Sequence, residues 1–194
     1  MTIQAGVTTI DQPPLIRLQS LWSVAAALLV MIVAIEMENL WFLNFVHVIA
    51  GVLWTGIDLF MGFVVGPVLR SVDPPVRKQI VLRLMPKMIF LMPTLSIVTG
   101  TAGWFLAQQM GFLSLDYPDF WWVVAALVII GVLTIQGLGV LLPTNLRVCL
   151  ELRKAEPDFP KIGAWMRTYI RAVALQGALQ IAIIVVMAKF VTGI

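Results

Sequence analysis

A bundle of five membrane-spanning helices, all-α with no sheet, is the fold this sequence predicts, and three observations predict it. The chain has 194 residues, 60% of them hydrophobic before 14 glycines are counted, and a mean hydropathy of +0.98. Charge is scarce: 13 Lys or Arg and 10 Asp or Glu make 12% of the chain, against roughly 25% in soluble domains. That is too little to build a water-facing surface. Finally, long intervals free of charge, near the ~20 residues that a spanning helix needs, recur five times.

The first interval, residues 18–35, lies between Arg17 and Glu36. It is longer than the roughly 7–15-residue core of a cleavable signal and lacks a small-residue cleavage site after it, so it is expected to stay. The second runs from Glu38 to Arg70 with Asp58 as its sole charge. The third covers 88–115, the fourth 120–146, and the fifth 172–188 with an apolar tail to Ile194. Pro13-Pro14, Asp73-Pro74-Pro75, Asp116-Tyr117-Pro118 and Pro157-Asp158-Phe159-Pro160 stand where breaks are wanted. Residues 1–17 form a short amino-terminal segment and 18–194 one transmembrane helical domain, the loops being too short to fold separately.

Basic residues set the expected orientation. Arg70, Arg77, Lys78, Arg83 and Lys87 crowd the second connection, and Arg147, Arg153, Lys154, Lys161, Arg167 and Arg171 the fourth, whereas the other two hold only Glu36, Glu38, Asp116 and Asp119. The positive-inside rule then puts the amino terminus in the cytoplasm and the carboxyl terminus outside. Trp41-Phe42, Trp104-Phe105 and Phe120-Trp121-Trp122 fall where an outer aromatic belt belongs. A nucleic-acid partner is not expected, because the net charge of +3 is a slight excess over few acids and not a basic patch. One cysteine, Cys149, excludes an internal disulfide and cysteine-based zinc sites. The partners expected are the bilayer and other membrane subunits.

Polar groups in hydrocarbon are costly and mark candidate sites. On the second helix, steps of ~100° bring Trp54 and Asp58 each within about 20° of His47, with Gly51 about 40° away, so the four make one stripe. Asp58 lies about 16 Å deeper than His47 at ~1.5 Å per residue. His47 can ligate haem or copper, with Gly51 and Trp54 lining a pocket open to a flat ring. Its alternative is a packed histidine bonded to Asn44 or to a hydroxyl of a neighbouring helix. No second histidine exists in the chain, so a b haem would take its other ligand elsewhere. Asp58 is expected to pair with Arg83 or Lys87 at the start of the third helix; a proton relay would call for further carboxylates.

On the third helix Met85, Met88 and Met92 make a thioether stripe, a path for Cu(I) or simple packing. Pro93 with Thr94, Ser96, Thr99 and Thr101 suggests a kink re-satisfied locally. On the fifth, Gln176 and Gln180 occupy one side and Ala174, Ala178 and Ala182 another; both are expected to face protein, and Gln136 to meet the glutamines. Lys189 is expected to snorkel to the outer headgroups.

The run from Phe45 to Gly56, with His47, Trp54 and Gly56 as His, six residues, Trp, one residue, Gly, resembles the opening signature of a superfamily of small bacterial membrane proteins. That superfamily contains the copper-resistance protein D family, the membrane-type protoporphyrinogen oxidase and the membrane domain of some urate oxidases. Gly66-Pro67 ending that helix, Leu84-Met85-Pro86-Lys87, Thr99-Gly100 and Leu142-Pro143-Thr144-Asn145 at the end of the fourth helix extend the likeness over about residues 40 to 190. The resemblance implies a bacterial inner-membrane location and His47 as a ligand of haem b; likeness to the copper family implies copper handling. The oxidase's later lysine has no counterpart in residues 120–146. The expected function is an integral membrane subunit, haem-binding or haem-adjacent, of a respiratory or other redox complex. The alternatives are a copper or small-solute transport protein and a purely structural subunit without cofactor. No acid/base pair or nucleophile constellation marks a free-standing enzyme.

Overall fold

In a computed structural model, which describes Pro14 and residues 18–192, the five charge-free intervals become five long helices and no strand is present among the described residues. They are α1 (Leu18–Glu36), α2 (Leu40–Ser71), α3 (Pro74–Gln109), α4 (Phe120–Leu152) and α5 (Phe159–Val191), each long and apolar enough to cross a membrane. The chain is thus an all-helical membrane protein. All but α1 continue past their apolar intervals. At ~1.5 Å per residue, a helix the length of α3 spans about 54 Å against the roughly 30 Å of hydrocarbon. Its basic residues Arg77, Lys78, Arg83 and Lys87 therefore belong to the helix and not to a loop.

Helix ends follow local chemistry. Asn39 caps α2 by accepting from the Phe42 amide at 2.9 Å, and Asp158 caps α5 by accepting from the Lys161 amide at 3.0 Å. Pro74 and Pro75 open α3, where a missing N–H costs nothing. Arg77 closes the end of α2 from the next helix, donating to the carbonyls of Arg70 and Val72, each at 3.1 Å. Gly111, at φ 73°, turns the chain out of α3.

Two prolines expected to end helices do not. Gly66-Pro67 and Leu142-Pro143 both lie inside continuous helices, each directly after a π turn, Met61–Val65 in α2 and Gly137–Leu141 in α4. The amides of Gly66 and Leu142 reach back five residues, to Met61 and Gly137. The wider turn makes room for the proline ring, and the helix runs on.

Packing divides into two layers. The main core joins Met31 and Ala34 of α1, Leu43, Val46, Ala50 and Trp54 of α2, Leu95, Val98, Ala102 and Leu106 of α3, and Leu133 of α4. A smaller core at the end bearing the basic loops packs Leu82 of α3 against Val148 and Leu152 of α4, with Ile162, Trp165 and Met166 of α5. Beside it Glu151, buried, takes Lys154 at 2.8 Å and Lys161 at 3.9 Å and accepts from the Asp158 amide at 3.4 Å, tying the α4–α5 connection together. At the other end aromatic rings gather: Trp41 stacks on Phe45 at 5.8 Å and Phe112 on Phe190 at 4.7 Å.

Candidate functional site

The stripe of α2 is divided between two neighbours. His47 and Gly51 face α3, whereas Asp58 turns to α5. Two polar sites result, one near the aromatic end and one near the basic end.

At the first, His47 Nδ1 lies 2.9 Å from the carbonyl oxygen of Thr99. A carbonyl only accepts, so Nδ1 carries the hydrogen and a neutral ring leaves its lone pair on Nε2. Nε2 has no protein partner among the described residues and is not enclosed. The ring rests on Gly103, where an added Cβ would come within 2.6 Å of Cε1. The hydrogen bond is thus neither to Asn44, which is exposed, nor to a hydroxyl, but to backbone. Gly51 does not open space for a flat ring: its bare Cα lets Thr99 approach, with Cγ2 at 3.4 Å from an added Cβ. Gly103 was not legible as the histidine's seat, because the relative height of α2 and α3 is a packing outcome.

At the second site Asp58 does not meet Arg83 or Lys87. Both cations are exposed, while Asp58 Oδ2 accepts from the side-chain amides of Gln176 and Gln180, the latter at 2.8 Å. The reason is rotational: Asp58 looks inward across the bundle, and the two glutamines, one turn apart on α5, present a matched pair of donors. Gln136 reaches α5 too, but donates to the carbonyl of Ala172 and not to the glutamines. The alanine side does not face protein within this chain; Ala174, Ala178 and Ala182 are exposed, opposite the glutamine face that packs inward.

A cleft of about 50 Å³ adjoins Asp58. Trp54, Asp58, Gln176, Ser96, Asn145 and Tyr169 supply its polar and aromatic lining, and the Tyr169 hydroxyl engages Asn145. Trp54, expected beside His47, lines this cleft instead and is buried. Met88 and Met92 lie on its wall while Met85 packs in the smaller core, so the thioether stripe is split. Thr94 and Ser96 bond back to the carbonyls of Phe90 at 2.7 Å and Pro93 at 3.1 Å around the proline of α3. No group of three or more His, Cys, Asp or Glu converges on a common point among the described residues. Asn145 and Tyr169 escaped sequence reasoning, although Asn145 stood in the Pro-Thr-Asn run; nothing in the sequence joined it to a tyrosine on another helix. No family model, curated protein or solved structure matches the chain.

Proposed function

We propose that this protein is an integral membrane subunit of a redox complex and that His47 is an axial ligand to a b-type haem held between this chain and a neighbouring subunit. The observation that carries the reading is the Thr99 carbonyl on His47 Nδ1 at 2.9 Å. A backbone acceptor on one ring nitrogen orients the imidazole, raises its basicity and leaves the other nitrogen for a metal, the usual second partner of a ligating histidine.

The donor fits a haem iron, and the cleft described beside Trp54 and Asp58 is a separate space that does not hold the macrocycle. The cleft beside Trp54, about 50 Å³, is far below the roughly 300–1,000 Å³ of small-molecule sites. The ring edge not covered by α3 is where a second subunit would complete the site. The likeness of the His47 to Gly56 run to haem-ligating membrane proteins supports the same reading. When bound, the haem would pass single electrons, while this chain's residues hold the imidazole and exclude water. We place the basic end of the bundle in the cytoplasm, by the positive-inside rule.

The test is a visible spectrum of the full chain purified in mild detergent, with and without co-purifying subunits. A Soret band that shifts or vanishes in His47→Ala is expected. A colourless preparation under both conditions overturns the reading.

A further inference from the structure

Among the described residues the cleft beside Asp58 has an excess of acceptors and no cationic side chain. Asp58 is the only charged one of the described residues on the cleft, and neither salt bridge among them involves it; both lie at Glu151. Gln176 and Gln180 turn their amide nitrogens to the carboxylate, which leaves the Oε1 of each buried without a donor; the two residues are 2% and 1% exposed. Gln176 lines the cleft. Unpartnered oxygens buried beside a carboxylate are costly in hydrocarbon unless a positive charge joins them.

The π turn of α4 adds a further oxygen. The Leu142 amide is spent on Gly137, and Pro143 has no N–H, so the Leu138 carbonyl loses both its i+4 and its i+5 donors. Leu138 lines the same cleft. Interrupted helices within a membrane offer such carbonyls to ions. Ser96, whose hydrogen is given to Pro93, has lone pairs left for the cleft.

We propose that this cleft binds a monovalent alkali cation, sodium, through the Asp58 carboxylate and the Leu138 carbonyl, with Gln176 holding the carboxylate in place. Hard oxygen donors suit such an ion and disfavour soft metals. The volume, about 50 Å³, accommodates an ion with two or three waters at roughly 10–15 Å³ each, and no larger organic solute. The ion compensates the Asp58 carboxylate, which has no cationic side chain beside it among the described residues, and its site is separate from His47.

The test is binding of radioactive sodium to the full chain in detergent, with choline chloride holding ionic strength constant. Wild type is expected to bind saturably, and Asp58→Asn to bind on the order of tenfold more weakly or not at all. Gln176→Leu, which keeps the carboxylate, is expected to weaken binding as well and serves if Asp58→Asn does not fold. Absence of saturable binding by wild type, including a response to protons alone, overturns the proposal. So does unchanged binding in the folded Asp58→Asn protein.

Discussion

His47 Nδ1 and the Thr99 carbonyl oxygen, 2.9 Å apart, join α2 to α3 through a hydrogen bond that also fixes which ring nitrogen stays free. The bond depends on a third residue. A Cβ at position 103 would stand 2.6 Å from Cε1 and 2.9 Å from Nδ1 of the ring. Gly103→Ala is therefore expected to displace the imidazole and cost about 1–3 kcal/mol, read by thermal unfolding in detergent. Under the haem reading it also shifts the Soret band. An unchanged melting temperature and spectrum would mean that the ring moves freely.

The partners of Asp58 divide two sets of substitutions. Gln180→Leu removes one donor from the half-buried Asp58 carboxylate and is expected to destabilise by about 1–3 kcal/mol. Arg83→Gln and Lys87→Gln, at exposed positions, are expected to stay within about 0.5 kcal/mol. The reverse ranking in an unfolding series would restore an Asp58 ion pair.

The π spacing before Pro143 leaves the Leu138 carbonyl without a donor, since the Leu142 amide goes to Gly137. Pro143→Ala supplies an N–H that meets Leu138 at π spacing and Gly139 at α spacing. Sodium binding is expected to weaken if the new N–H closes on Leu138 and to stay at wild-type strength if it closes on Gly139, while the helical circular dichroism holds or rises. Weakened binding with a structure that shows the bond on Leu138 identifies that oxygen as a ligand; wild-type binding with the same bond removes it from the site.

Glu151 gathers Lys154, Lys161 and the Asp158 amide at the α4–α5 connection. Glu151→Gln is expected to lower the melting temperature and to speed protease cleavage within residues 153–158. Cleavage at the wild-type rate would show that the smaller core holds the connection without it.

The alanine face of α5 is open. Ala178→Leu adds volume at an exposed position and is expected to change the stability of the isolated chain by less than about 0.5 kcal/mol. A larger loss, measured on the monomer, would place that face against protein.

What the sequence by itself determined is the set of five spans, their breaks and the gathering of basic residues at one end. Charge is so costly in hydrocarbon that its absence marks a spanning segment without reference to any neighbour. It also singled out His47, Asp58, Gln176 and Gln180 as groups needing partners. The partners themselves were decided by tertiary structure. A helix whose residues are apolar all round carries little record of its rotation, so which face of α5 turns inward, and whether Asp58 finds a cation or two amides, follows from how the helices pack together. The same holds for Gly103 beneath His47 and for Tyr169 beside Asn145, each pair set by the relative height of two helices. The family resemblance puts helix ends at Pro67 and Pro143. The π turns before them keep the helices continuous, because the wider turn makes room for the ring.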